Sequence, residues 1–151
     1  MKFSFLCDAH RQELNTNITK AIRFWQEGFD TGQFFNEQGL WIEAIPHAGC
    51  AFEIAEILVT NKDIDAAVAY EWFYASTQLL ADAFNNLGYK EEAYEVMGLA
   101  VERFDRELAL SQVSQKLVMD YLNKLHWSEH FASSYASLKK EKVTSSGVLV
   151  H

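Results

Sequence analysis

Apolar and polar positions along this chain recur with a helical period and divide it into five predicted helices. In the first, apolar residues recur three or four positions apart, and most charged residues fall on another side. The predicted helices cover residues 18–38, 40–59, 64–87 and 90–110, with a fifth that begins between 111 and 114 and continues to 138. The third is apolar on most of its circumference, which predicts a central position. The pattern as a whole predicts an all-α fold.

Short polar residues, glycine and one proline mark the ends of these helices. Thr16 or Asn17 can cap the first helix, because a short side-chain oxygen accepts a hydrogen bond from the free N–H groups of the first turn. Asp63 is the expected cap of the third helix, and Gly39 suits the left-handed position that ends the first. Pro46 lacks a backbone donor, so we expect it to kink the second helix or to delay its start.

One stretch of the chain occurs twice. Gly39 and Gly88 are separated by 49 positions (88 minus 39), and the same shift superimposes other identical residues. These pairs are Glu43 and Glu92, Ala44 and Ala93, Gly49 and Gly98, Ala51 and Ala100, Glu53 and Glu102, and, upstream, Phe24 and Phe73, Phe35 and Phe84, and Asn36 and Asn85. The repeated unit is therefore a whole helix–turn–helix. Such hairpins bury their apolar faces mainly by stacking on one another.

Over residues 17–109, each unit resembles a hairpin of the tetratricopeptide repeat family, with longer helices than the family's unit of about 34 residues. Gly39 and Gly88 stand at the turn glycine. The other matching positions are Gly32 and Ala81, Phe35 and Phe84, Ala44 and Ala93, and Ala51 and Ala100. The resemblance implies a protein-interaction scaffold that binds a peptide or a partner helix in a groove lined by the first helix of each pair. The candidate partner-binding residues are Arg23, Gln26, Phe29, Asp30, Trp72 and Tyr74.

The end of the chain fits the same architecture. The fifth predicted helix has no partner of its own, and a lone last helix that covers one end of the stack is typical of a terminal cap. We expect a single helical-repeat domain over residues 1–140, either an α-α superhelix or a bundle, followed by a flexible tail over residues 141–151.

Three consecutive aromatic residues, Trp72, Phe73 and Tyr74, lie in the third predicted helix. They cover about 200° of its surface at about 100° per residue, so they cannot all pack against one neighbour. At least one should therefore face a groove, a second subunit or solvent. Aromatic anchors contribute much of the energy of protein interfaces. A homodimer seam is the alternative use of these rings.

Composition and charge narrow the partners. The formal net charge of −8 would repel a phosphate backbone, so we expect no nucleic-acid partner. The apolar stretch within residues 1–7 is too short for a signal peptide, and no run approaches the roughly 18 apolar residues of a membrane span. Two cysteines without an export signal are typical of reduced thiols. We therefore expect a cytoplasmic protein with no membrane partner.

Two short pairs of metal-ligand residues form the alternative functional hypothesis. Cys7 and His10 are three positions apart, as are His47 and Cys50. Thiolate and imidazole are the ligands that tetrahedral zinc prefers, so the four residues could form a structural or redox-sensing Cys2His2 site. Zinc would then join the N-terminal segment to the second helix. The competing expectation is that these are a buried cysteine and a capping histidine in a protein without a cofactor.

No catalytic signature is strong enough to name a reaction. His126, Glu129 and His130 spell the inverted zincin pattern H-x-x-E-H, which supports a metal-dependent hydrolase as a weaker alternative. The glycine-rich phosphate loop, the dinucleotide fingerprint and the serine elbow are absent from the sequence. We interpret the glutamates of the second and fourth predicted helices as solvated acids on the repeat surface. The sequence therefore favours a small adaptor or regulator that binds another protein.

Overall fold

The computed structural model describes residues 4–110 and 115–126, and within these ranges the chain forms helices and no strand. The helices are α1 (Asp8–Thr16), α2 (Ile18–Glu37), α3 (Trp41–Thr60), α4 (Ala66–Asn86), α5 (Lys90–Leu110) and α6 (Gln115–His126). The all-α prediction is confirmed. None of the helices in the described ranges has both the length and the apolar composition that a membrane crossing requires.

The two hairpins, α2–α3 and α4–α5, turn in the same way. Gly39 and Gly88 both have positive φ, +74° and +83°, which an L side chain rarely adopts. The N–H of Gly39 donates to the carbonyl of Asn36 at 3.1 Å, and the N–H of Gly88 donates to that of Asn85 at 3.0 Å. The repeat that the sequence predicts at a shift of 49 positions is therefore present in the local backbone structure.

Two short polar side chains cap the first helix of each hairpin. Asn17 Oδ1 accepts a hydrogen bond from the N–H of Lys20 at 3.1 Å, which confirms one of the two predicted caps of α2. Asp65 Oδ1 accepts from the N–H of Ala67 at 2.8 Å, and α4 begins at Ala66. The prediction of Asp63 as this cap, with a helix from residue 64, is wrong because the carboxylate two positions later reaches the free N–H.

The second helix of each hairpin begins at equivalent positions, Trp41 and Lys90. Pro46 lies at an exposed position inside α3 and does not delay the start of the helix. Helix α1 is not among the predicted helices. Its composition is mostly polar, and Leu14 is its buried residue, so it has little amphipathic pattern to recognise.

The packing follows the chain. Successive helices from α2 to α6 pack side by side, α2 also touches α4, and α4 also touches α6. Helix α4 therefore contacts α2, α3, α5 and α6, which confirms its predicted central position. Helix α1 packs against α2 and α3 at the other end. Contacts between α2, α4 and α6 place the first helices of successive units along one side of the molecule.

The three consecutive aromatic residues of α4 each meet a different neighbour. The Trp72 ring stacks on Trp25 of α2, with centroids 4.2 Å apart and planes at 6°. Phe73 is fully buried between the second helices of the hairpins, and Tyr74 lies 5.5 Å from Tyr121 of α6. The spread of directions that the sequence predicts is therefore observed.

Helix α6 packs on α5 and α4, as a terminal cap would. The predicted continuation of this helix to residue 138, the domain limit at residue 140 and the tail over residues 141–151 lie outside the described residues.

Candidate functional site

Aromatic rings run along the side formed by α2, α4 and α6, which we call the three-helix face. Trp25 and Tyr121 are buried there, and Phe29, Trp72 and Tyr74 are half-buried. Phe29 stacks on Trp25 at 5.1 Å, and Trp25 stacks in turn on Trp72. The indole Nε1 of Trp25 donates to Ser76 Oγ at 2.8 Å, which satisfies its polar end. An aromatic stack contributes about 0.5–1.5 kcal/mol of stability beyond the effect of the area that it buries. These contacts therefore fix the positions of the rings.

The α4–α6 side of the three-helix face is aromatic and charged. Lys124 Nζ lies 4.9 Å above the Tyr121 ring and 5.8 Å from that of Tyr74, within range of a cation–π interaction. Burial raises the pKa of the Tyr121 hydroxyl, and the nearby Glu71 carboxylate and Tyr74 add to the effect. The Tyr121 hydroxyl therefore remains neutral at physiological pH.

The six predicted partner-binding residues divide into two groups, of which the aromatic group is placed on this face by its ring contacts. Arg23, Gln26 and Asp30 are exposed on α2. Phe29, Trp72 and Tyr74 are half-buried, packed on one side by the contacts described above. Trp25, Tyr121 and Lys124 complete the row, although the sequence did not single them out for binding. These rings could be recognised as one continuous row only once the positions of α2 and α6 beside α4 were known.

A cleft lies between the N-terminal segment, α2 and α3, with a volume of about 520 Å³. Its apolar wall is formed by Phe5, Leu6, Leu14, Phe24 and Ile54. Its polar lining is formed by His10, Glu27, Thr31, His47 and Cys50. The cleft is within the size range of small-molecule sites, which is about 300–1,000 Å³. It exists because the N-terminal segment folds back onto α3.

A buried carboxylate holds that N-terminal segment in place. Glu53 Oε2 accepts hydrogen bonds from the backbone N–H groups of Phe5 at 3.0 Å and Leu6 at 2.7 Å. Its other oxygen, Oε1, lies 3.2 Å from Arg11 Nη2. The Phe5 ring packs on the bare backbone of Gly49, where a Cβ would overlap it.

The interpretation of the acids in the second helices as solvated is wrong for two of them. Glu53 is 3% exposed and Glu107 is 8% exposed. Glu53 is buried because it satisfies backbone donors of the N-terminal segment, and Glu107 because it faces the Tyr70 hydroxyl at 3.5 Å. Burial raises the pKa of Glu107, and this outweighs the opposing effects of Arg103 and Tyr70. Neither the backbone donors that bind Glu53 nor the Tyr70 hydroxyl that faces Glu107 can be identified from a sequence pattern.

Three of the four predicted zinc ligands line the cleft. His10, His47 and Cys50 are in its wall, whereas Cys7 is an exposed residue at the start of α1 and is not part of the lining. Across residues 4–110 and 115–126, no three His, Cys, Asp or Glu side chains are grouped so that they could hold a metal ion. The Cys2His2 site therefore stays a prediction, without support from this arrangement.

The Cys50 thiol has its own partner. Its Sγ–H donates to the carbonyl of Phe5 at 3.7 Å, and burial, together with the Glu53 carboxylate, raises its pKa. The thiol is therefore protonated at neutral pH, which is unfavourable for a nucleophile or a redox-sensing thiolate. For the hydrolase alternative, His126 ends α6, and Glu129 and His130 lie outside the described residues.

Comparison of the chain with protein-family models, with curated proteins and with solved structures finds no match.

Proposed function

We propose that this protein is a protein-interaction scaffold that holds a peptide or helical segment of another protein on the three-helix face. The observation that carries the proposal is the stack Phe29–Trp25–Trp72, which continues with Tyr74 of α4 and Tyr121 of α6. In this row Trp25 and Tyr121 are buried, and Phe29, Trp72 and Tyr74 are half-buried. Rings that are already packed on one side lose little conformational freedom when a partner covers the other side. Such pre-organisation favours binding.

The surroundings of the rings also favour this use. Glu71 and Lys124 are exposed beside the Tyr121 ring and provide charges of both signs at the α6 side. An apolar centre with a polar rim is the usual anatomy of protein interfaces. The resemblance to tetratricopeptide hairpins supports the same assignment, because the rings lie on α2 and α4, the first helices of the two units.

The proposal is tested by co-purification from the native host with variants that change the rim but not the packed rings. We expect a double substitution, Glu71→Lys with Lys124→Glu, to lose a partner that the unaltered chain retains, because both side chains lie beside the Tyr121 ring. Both side chains are exposed, so the circular dichroism and the melting temperature should not change.

A matched control exchanges charges on a different helix. Asp105→Lys with Arg106→Glu exchanges the charges of two exposed residues of α5 and keeps the net charge, and this variant should retain the partner. Loss of the partner from both variants would indicate a charge effect without a defined site. Retention by both would exclude the three-helix face as the binding surface.

A further inference from the structure

The cleft beside the N-terminal segment is a second site, separate from the three-helix face. On α2, the residues that line the cleft are Phe24, Glu27, Gly28 and Thr31. The residues of α2 that meet α4 are Trp25, Gly32 and Asn36. They lie on a different side of the helix from the residues that line the cleft. A ligand in the cleft therefore leaves the three-helix face free, and the inference does not depend on the proposed function.

The cleft is built into the fold. On one side α2 approaches α3 closely, because a Cβ at Gly28 would be 3.2 Å from the carbonyl oxygen of His47. On the other side Glu53 fixes the backbone of Phe5 and Leu6 through two hydrogen bonds. Both walls are therefore fixed by contacts of the backbone, and a ligand would enter a site that is already formed.

The lining has an apolar wall and a polar part with a definite charge. Of the described residues that line it, Glu27 alone carries a formal charge at pH 7 when histidine is counted as neutral. The imidazoles of His10 and His47 and the hydroxyl of Thr31 can each accept or donate a hydrogen bond. Glu27 is exposed, so its carboxylate is accessible at the mouth of the cleft.

The cations near the mouth do not reverse this balance. Lys20 forms an ion pair with Glu13, and Arg11 forms one with Glu53. Arg23 is exposed on α2, with its guanidinium 5.4 Å from the Phe24 ring, where solvent and salt screen it. At longer range the net charge of −8 attracts cations and repels anions.

We propose that the cleft binds a small cationic amphiphile, an organic amine whose apolar body lies against Phe5 and Phe24, the half-buried apolar residues of the lining, and whose ammonium group pairs with Glu27. The wall supplies the area that the apolar body buries, at about 25 cal/mol per Å². The carboxylate selects the sign of the head group.

The test uses decylamine below its micelle concentration as the probe, with decanoate as the probe of opposite charge. Titration calorimetry should show binding of decylamine at least about tenfold tighter than that of decanoate. Glu27→Gln should remove about a tenfold advantage, which equals about 1.4 kcal/mol. Glu37→Gln removes the same charge from an exposed site at the end of the same helix, and it should leave the affinity unchanged.

Cys50 reports whether the probe is in the cleft. In a Cys7→Ser background, decylamine should slow the alkylation of Cys50 by iodoacetamide in proportion to the occupancy measured by calorimetry. Binding without protection of Cys50 would overturn the site. Equal protection by decanoate, or equal weakening by Glu37→Gln, would overturn the assignment of a cationic ligand.

Discussion

The two hairpins share a backbone design and differ in what covers their second helix. In α3, Gly49 is covered by the Phe5 ring and Glu53 binds the N-terminal segment. At the equivalent positions of α5, Gly98 has no atom of the described residues within 4 Å of an added Cβ, and Glu102 is exposed. The same residue types therefore have different roles, because only the first unit receives a covering segment from its own N-terminal side.

A third pair of positions differs in the opposite direction. Leu58 of α3 is fully buried, and the position 49 residues later is Glu107, whose carboxylate is buried beside the Tyr70 hydroxyl. In the first hairpin the buried acid is Glu53, which lies beneath the N-terminal segment. In the second hairpin it is Glu107, which lies against Tyr70 of α4. A repeat in sequence preserves the turn and the close helix approach, whereas the chemistry of each outer side depends on its neighbours.

The largest expected difference comes from the equivalent glutamates. Glu53→Ala leaves two backbone donors and Arg11 without their acceptor, so we expect a loss of about 3 kcal/mol in the free energy of unfolding. Glu102→Ala removes an exposed carboxylate 3.9 Å from Arg106 and should cost less than about 0.5 kcal/mol. Urea denaturation of the two variants measures both values. Equal losses would contradict the role of Glu53 in holding the N-terminal segment.

The equivalent glycines should give effects of opposite sign. Gly49→Ala forces the Phe5 ring away from α3, and we expect it to destabilise the protein by about 1 kcal/mol. Gly98→Ala adds a methyl group where the described chain leaves space, and it should stabilise α5 by about 0.5–1 kcal/mol through helix propensity. Thermal denaturation of the two variants compares them directly. Destabilisation by Gly98→Ala would show that this side of α5 is also covered.

The smallest expected effect concerns Glu107 and depends on pH. Because burial raises its pKa in the folded state, folding favours the protonated acid. The associated stability is present below the ordinary glutamate pKa of about 4.3 and is lost as the pH rises through the raised value. We therefore expect Glu107→Gln to match the unaltered chain near pH 4 and to be more stable at pH 7. Urea denaturation across this range would show a constant difference if burial were unimportant.

Much of the fold could be predicted from the sequence because the signals are local. The turn at Gly39 needs a residue with positive φ, and the cap at Asn17 needs a short acceptor, so both are visible as residue types. Helix α1 was missed, because nine mostly polar residues carry no clear apolar stripe. The sequence predicts a start of α4 that is too early, because Asp63 and Asp65 have the same side chain and are equally good candidates for the cap.

The candidate sites could be predicted less well, since they depend on which elements meet. The sequence identified Phe29 and Trp72 as aromatic residues on the right helices, but their stack through Trp25 required the position of α2 against α4. His10, His47 and Cys50 were recognised as metal-ligand types, yet their common feature in the structure is the cleft that they line. The sequence does not indicate that Glu53 is buried, because the groups that it binds are backbone N–H groups.

The sequence separation of the residues joined by polar contacts affects the order in which parts of the chain can fold. Leu6 and Glu53 are 47 positions apart, Trp25 and Ser76 are 51 apart, and Asn36 and Asp82 are 46 apart, all close to one repeat length. Each of these contacts can form once about one further repeat of the chain is present, before the later helices exist. During synthesis, the ribosome needs to release little beyond residue 60 before the first hairpin can close over its own beginning, and each later helix then adds to a surface that is already in place.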